Sequence, residues 1–156
     1  MPDSSSTTPF EFVGSHDFRP SRTLLEWSPA DIPDDPGAYI FVGNEPFKYP
    51  LETSPVFYIG QAVNLRKRLY RHKRAITQAG GERPHPIYRP VTEFAAQFGA
   101  NVAILPCSNY LPKVFEFLLL VEFLKQFHAM PVANNAVNWR KVRQELKKQH
   151  VETGEP

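Results

Sequence analysis

Apolar and polar positions recur along this chain with two distinct periods, and each period predicts a different kind of element. Ala38–Val42, with Tyr39 and Phe41 on one side, reads as a first strand, and Val56–Gly60 as a second, antiparallel to it. Asn101–Leu105 suits a third. Between the second and third, Leu65, Leu69 and Ile76 form an inward stripe with Arg and Lys around it, which predicts a helix. Asn64 is placed to cap it and Gly80-Gly81 to end it. Residues 82–90 read as a Pro-rich loop and Val91–Phe98 as a short helix ending at Gly99. The strongest helical signal runs from Pro112 to about His128, where Val114, Phe117, Leu118, Val121, Leu124 and Phe127 keep the period. Pro112 sits near its first position, where a missing backbone donor is harmless. A last, basic helix spans Trp139 to Gln149.

The connections are legible too. Asp31 to Gly37 is turn chemistry, and residues 43–54, with two Pro and one Gly, read as a long connection. Leu24, Leu25 and Trp27 are expected to dock a short segment on the core. Residues 1–22 form a Ser/Thr-rich, flexible N-terminal arm without a buried period. The sum is an α+β chain: a small three-stranded antiparallel sheet flanked by helices over 23–137, then a basic C-terminal helix and tail over 138–156.

Composition narrows the function classes. A length of 156 residues suits one domain, and 12 Phe point to a core built on aromatic anchors. The single cysteine, Cys107, excludes a disulfide framework and a cysteine-built zinc site, and fits a reducing compartment. The most apolar run, Phe117 to Leu124, contains Glu122 and falls far short of the roughly 20 residues that span a bilayer. No membrane partner is expected, and the acidic, polar N-terminus has no signal-peptide pattern, so the expected location is cytoplasmic. Charge is unevenly spread. Residues 1–60 carry nine acidic and three basic groups, whereas 61–89 carry eight basic and one acidic. A block that basic is either a solvated helix face or a phosphate-binding surface.

Four separated pieces decide between those two. They are Pro36-Gly37-Ala38-Tyr39, then Phe57-Tyr58-Ile59-Gly60, then Asn64-Leu65-Arg66-Lys67-Arg68-Leu69 continuing to His72, and finally Glu122 with Pro131 and Asn134 behind it. Together, in this order and spacing, they resemble the GIY-YIG nuclease family. That family includes the incision domain of bacterial nucleotide-excision repair, intron homing endonucleases and some restriction enzymes. The resemblance covers about residues 36–135. It implies that Tyr39 and Tyr58 are the paired motif tyrosines, Gly60 the motif glycine, Arg68 the catalytic arginine and Glu122 the metal-binding glutamate. His72 matches a position that carries histidine in part of the family, and Asn134 the asparagine after the proline. Ala38 replaces the usual aliphatic residue, Gln61 stands where some relatives have Lys, and the 43–55 and 78–100 stretches are expanded.

The same residues make chemical sense in their own right. Cleaving a phosphodiester requires an activated water, neutralised phosphate charge and help for the leaving oxygen. Glu122, with apolar neighbours on both sides in sequence, is a carboxylate in need of a partner or a metal, and one carboxylate suffices for Mg²⁺ or Mn²⁺ completed by water and phosphate. Arg68 and His72, spaced i, i+4, project from one helix face. Arg68 is read as the phosphate clamp, and His72 as a proton donor or a second phosphate contact. Tyr39 is favoured as the general base, with Tyr58 hydrogen-bonding the water or phosphate. Asn134 is expected to orient the site or close the chain end. Arg66, Lys67, Arg71, Lys73 and Arg74 are expected to track a DNA backbone, and Arg83, His85, Tyr88 and Arg89 are candidates for base contacts.

The expectation is therefore a divalent-metal-dependent DNA endonuclease of restriction, mobile-element or repair type, with target choice left to the inserts, a homodimer or a partner protein. The alternative is a non-catalytic nucleic-acid-binding module on the same scaffold.

Overall fold

The computed structural model describes residues 22–78, 88–107 and 111–134. The arm expected before Arg22 and the basic helix expected after 138 lie outside the described residues. Seven regular elements follow in chain order: β1 (Arg22–Thr23), β2 (Gly37–Lys48), β3 (Thr53–Ala62), α1 (Leu65–Thr77), α2 (Arg89–Phe98), β4 (Asn101–Pro106) and α3 (Pro112–Phe127). The three-stranded antiparallel sheet is present as β4-β2-β3, and the two-residue β1 pairs along the outer edge of β4. The fold is α+β.

β2 is the central strand and gives each of its faces to a different helix layer. Ala38, Ile40 and Val42 pack with Val56, Ile59 and Ala103 beneath α3, against Leu119, Leu120, Phe123 and Phe127. Tyr39 and Phe41 turn the other way, toward Leu65 and Leu69 of α1, Val91 and Ala95 of α2, and Leu24, Trp27 and Ile32. The period-two alternation of β2 thus sorts the protein into two cores.

The β2–β3 hairpin is longer than the sequence pattern suggests. Residues 43–54 were expected to be one connection, yet Phe47 pairs with Ser54 and Lys48 with Thr53. Pro46 and Pro55 are tolerated because the register breaks between Val42 and Phe47, where no ladder bond needs their absent donors. A second shift opposes Phe41 to Tyr58 but Val42 to Val56, leaving Phe57 as an extra residue. That bulge turns Phe57 and Tyr58 together toward the α1 side.

α1 begins where expected. The Asn64 side chain accepts from Lys67 N at 3.0 Å. The first-turn amides of Leu65 and Arg66 donate to the carbonyls of Asp35 and Pro33 at 3.0 and 3.2 Å. The turn at 31–37 therefore supplies partners that the helix start lacks. α1 ends at Thr77, before Gly80-Gly81, which lie outside the described residues. α2 stops at Gly99, with φ of 89°, and α3 at His128, with φ of 56°. Among the described residues no helix is long and apolar enough to cross a membrane.

Candidate active site

Tyr39 lies in the central strand, fully buried, and faces Gly60 across the β2–β3 ladder. A Cβ at Gly60 would meet Tyr39 Cζ at 2.6 Å, its Oη at 2.7 Å and Tyr58 Cε1 at 2.7 Å. The glycine is what lets two phenol rings lean over the same stretch of backbone. The rings of Tyr39 and Tyr58 lie 6.0 Å apart.

α1 brings the remaining groups. His72 is on its inward stripe with Leu65 and Leu69, and Nε2 of its ring lies 2.9 Å from Tyr39 Oη. Arg68, one turn earlier and half-buried, acts electrostatically on the Tyr39 hydroxyl, as does Tyr58. Two strands and a helix thus gather Tyr39, Tyr58, Arg68 and His72 in one place.

Burial sets their protonation. It raises the Tyr39 phenol well above 10, Tyr58 raises it further, and the Arg68 guanidinium opposes both. Tyr58 is also raised, first by burial and then by the charge of Glu116, while Tyr39 and Arg68 lower it. His72 is pushed down to about 3, by burial and then by Arg68. Burial disfavours the Arg68 cation too, but the surrounding phenols Tyr39, Tyr88 and Tyr58 outweigh it and raise the guanidinium overall.

A neutral His72 has one proton to place. Its Nδ1 is enclosed and has no hydrogen-bond partner. A buried N–H left alone is rarer than a buried acceptor left alone, so the proton belongs on Nε2, where it donates to Tyr39 Oη. His72 therefore takes neither expected role, imidazolium donor or phosphate contact: it is 1% exposed and its Nε2 is committed to Tyr39. Of the two phenols, Tyr39 is fully buried and Tyr58 the more open.

Glu122 comes from a different element, α3. It lies midway along α3, flanked by the buried Val121 and Phe123, and Oε2 of its carboxylate is enclosed without a hydrogen-bond partner. That unpartnered oxygen fits a hard cation, which would give it the partner it lacks. No hydrogen bond or ion pair joins Glu122 to the phenols or to Arg68 among the described residues. Those residues also contain no group of three or more His, Cys, Asp or Glu side chains able to hold a metal. Asn134 closes the β3 edge: its Nδ2 donates to Ile59 O at 2.8 Å and its Oδ1 accepts from Ile59 N at 3.1 Å.

The basic block divides by helix face. Arg66 Nε donates to Ile32 O at 2.7 Å, its Nη1 pairs with Asp34 at 2.9 Å, and Lys73 Nζ donates to Trp27 O at 2.7 Å. These two side chains hold the 24–35 segment on α1. Lys67, Arg71 and Arg74 are exposed and make no such contact among the described residues. Arg83 and His85 lie outside the described residues, as does the side chain of Arg89.

Two participants were missed as site groups. Tyr88, assigned to a base-contact loop, packs its ring at 4.8 Å and 88° to that of His72. No local spacing announces this contact. Glu116, whose charge acts on Tyr58, did carry a signal: it shares the helical phase of Leu120, Phe123 and Phe127, an acid in a buried stripe.

Neither a family model, nor a curated protein, nor a solved structure matches the chain. What the arrangement can do follows from its own groups. A fixed guanidinium beside two hydroxyls binds an anion and orients a water against it.

Proposed function

We propose that this protein is a divalent-metal-dependent DNA endonuclease, hydrolysing phosphodiester bonds at the Tyr39–Tyr58–Arg68–His72 site and working in the cytoplasm. The observation that carries this reading is the gathering of two phenols and a guanidinium around the 2.9 Å Tyr39–His72 bond, from three separate elements.

In this reading Arg68 grips the non-bridging oxygens of the scissile phosphate with its forked donors and stabilises the charge that grows there. Tyr58 first gives up its own proton to solvent, a change the neighbouring Arg68 charge favours against burial. The phenolate orients the attacking water and takes its proton as the new phosphorus–oxygen bond forms. The bond to the leaving oxygen breaks in the same step, and that oxygen is protonated by water. Tyr39, held from behind by His72, donates to Tyr58 and keeps its oxygen aimed. Glu122 would hold Mg²⁺ or Mn²⁺, and a cation bound there neutralises phosphate charge and favours ionised oxygen ligands. Lys67, Arg71 and Arg74 hold the duplex by its phosphates without reading sequence.

Plasmid cleavage tests this. With Mg²⁺ or Mn²⁺ the protein nicks or linearises DNA, and Arg68→Ala or Glu122→Ala lowers the rate by about a hundredfold or more. Cleavage that survives both substitutions at full rate rules the reading out. Glu116→Gln, run alongside, tells which α3 carboxylate serves the site. Sequencing the cut ends then separates a restriction enzyme, with a fixed motif, from a mobile-element or repair nuclease.

A second reading is a nucleic-acid-binding module that does not cut. It is favoured by the described residues holding no group of three or more His, Cys, Asp or Glu side chains able to bind a metal. It predicts salt-sensitive DNA binding with intact substrate under every divalent metal.

A further inference from the structure

We propose that Tyr88 is a positioning residue of this site: its ring, standing perpendicular to His72, fixes the imidazole that holds the Tyr39 hydroxyl. The inference rests on the nuclease reading for its catalytic consequence, but the contact itself does not.

His72 has few other means of holding its orientation. One ring nitrogen bonds Tyr39 and the other has no partner, so no second hydrogen bond stops the imidazole from turning about its bond to Cβ. Aromatic edges do that work. Phe41 lies 5.0 Å from the His72 ring centroid and Tyr39 itself 5.5 Å, but both belong to β2 and lie on the sheet side. Tyr88, at 4.8 Å and 88°, is the nearest ring, and it comes from the start of α2 instead. Perpendicular pairs at this separation are the favoured geometry for rings, set by the fit of a positive edge to a negative face. The Tyr88 phenol also acts on Arg68 and Tyr58, the two groups the mechanism requires to face substrate. The residue therefore links α2 to every member of the cluster on α1 and β3.

The test has two arms. Nitrogen and carbon NMR signals of the His72 ring report its tautomer and its bond to Tyr39, whether or not the protein cuts DNA. In Tyr88→Leu these signals are expected to shift, with exchange between two ring states. In Tyr88→Phe, which keeps the ring, they are expected to remain near the wild-type positions. On plasmid DNA with Mg²⁺, Tyr88→Leu is expected to lower kcat by tenfold or more with KM changed less than twofold, and Tyr88→Phe to recover most of the loss. In a His72→Asn background the leucine substitution is expected to add nothing further, because its effect runs through the histidine. If the leucine variant loses its fold, Tyr88→Met, unbranched and more adaptable, replaces it. Unchanged His72 signals in the leucine or methionine variant overturn the proposal, as does a phenylalanine variant that shifts them equally. A wild-type protein that never cuts DNA, with the signals behaving as expected, overturns the nuclease reading and leaves the positioning role in place.

Discussion

Gly60 is where a single atom decides the geometry of the site. Adding one methyl there brings carbon to 2.6 Å from the Tyr39 ring and 2.7 Å from that of Tyr58, closer than carbons approach. The Tyr39 ring is fully buried in the core and cannot swing clear. Gly60→Ala is thus expected to destabilise the protein by about 1–3 kcal/mol and to abolish most cleavage, as read by denaturant unfolding and plasmid nicking. An alanine variant with wild-type stability and rate would show that the rings are free to move. His72 gives a second residue-level test. Its folded pKa of about 3 lies below the unfolded value near 6.5, so below about pH 6.5 the unfolded chain binds a proton that the folded one refuses. Stability from this group is whole above pH 6.5 and is lost as pH falls toward 3, by about 2 kcal/mol at pH 5. His72→Asn should flatten that part of the stability curve relative to wild type, whatever the carboxylates add to both. Parallel curves would mean that His72 titrates normally.

α1 shows the division of labour within one element. Its inward stripe of Leu65, Leu69 and His72 packs on the sheet, one flank carries Arg66 and Lys73 to the 24–35 segment, and the outer ridge carries Lys67, Arg71 and Arg74. Charge alone did not distinguish these cations in the sequence, because which carbonyl a side chain reaches is set by a chain segment about 34 to 46 residues away. Arg66→Ala is expected to lower stability by about 1 kcal/mol, a modest figure because its ion pair with Asp34 is largely exposed, with little change in DNA affinity. Arg71→Ala or Lys67→Ala is expected to leave stability alone and to reduce the slope of log K against log salt by about 1 each. The reverse pattern would show that the flanks are misassigned. What the sequence did reveal is the periodic part. α1, α2, β4 and α3 start and end within two or three residues of expectation, because each has a buried stripe and a cap or a Pro or Gly at its ends. The hairpin extension past Val42 was hidden: Gly43 to Pro46 carries no alternation, and it pairs only because a register break accommodates the prolines. Tyr39, Tyr58, Arg68 and His72 were singled out together by the resemblance to the GIY-YIG family, whereas Tyr88 reaches His72 only through the packing of α2 on α1.

At the scale of the whole molecule, the sheet is closed on one side by β1 and on the other by the residues that follow α3. β3 is the outer strand on that second side, and its exposed ladder groups would be available to another chain. Ala133 N donates to Phe57 O at 2.9 Å, and the Asn134 side chain takes both the N–H and the C=O of Ile59. A backbone N–H on the Phe57 side of Tyr58 and a side-chain amide on the Ile59 side thus stand in for a neighbouring strand, so the segment after α3 holds the β3 edge beside the site. Asn134 thereby clamps the backbone of Ile59, next to Tyr58. Asn134→Ala removes the donor and the acceptor together and is expected to cost about 1–3 kcal/mol, to speed hydrogen exchange at the Ile59 amide, and to let molecules associate as concentration rises. Asn134→Asp keeps an acceptor for Ile59 N but offers Ile59 O no donor, so it should fall between the two. If Ile59 exchange in the alanine variant matches wild type, the edge is held by other contacts and the link from α3 to Tyr58 is not made through Asn134.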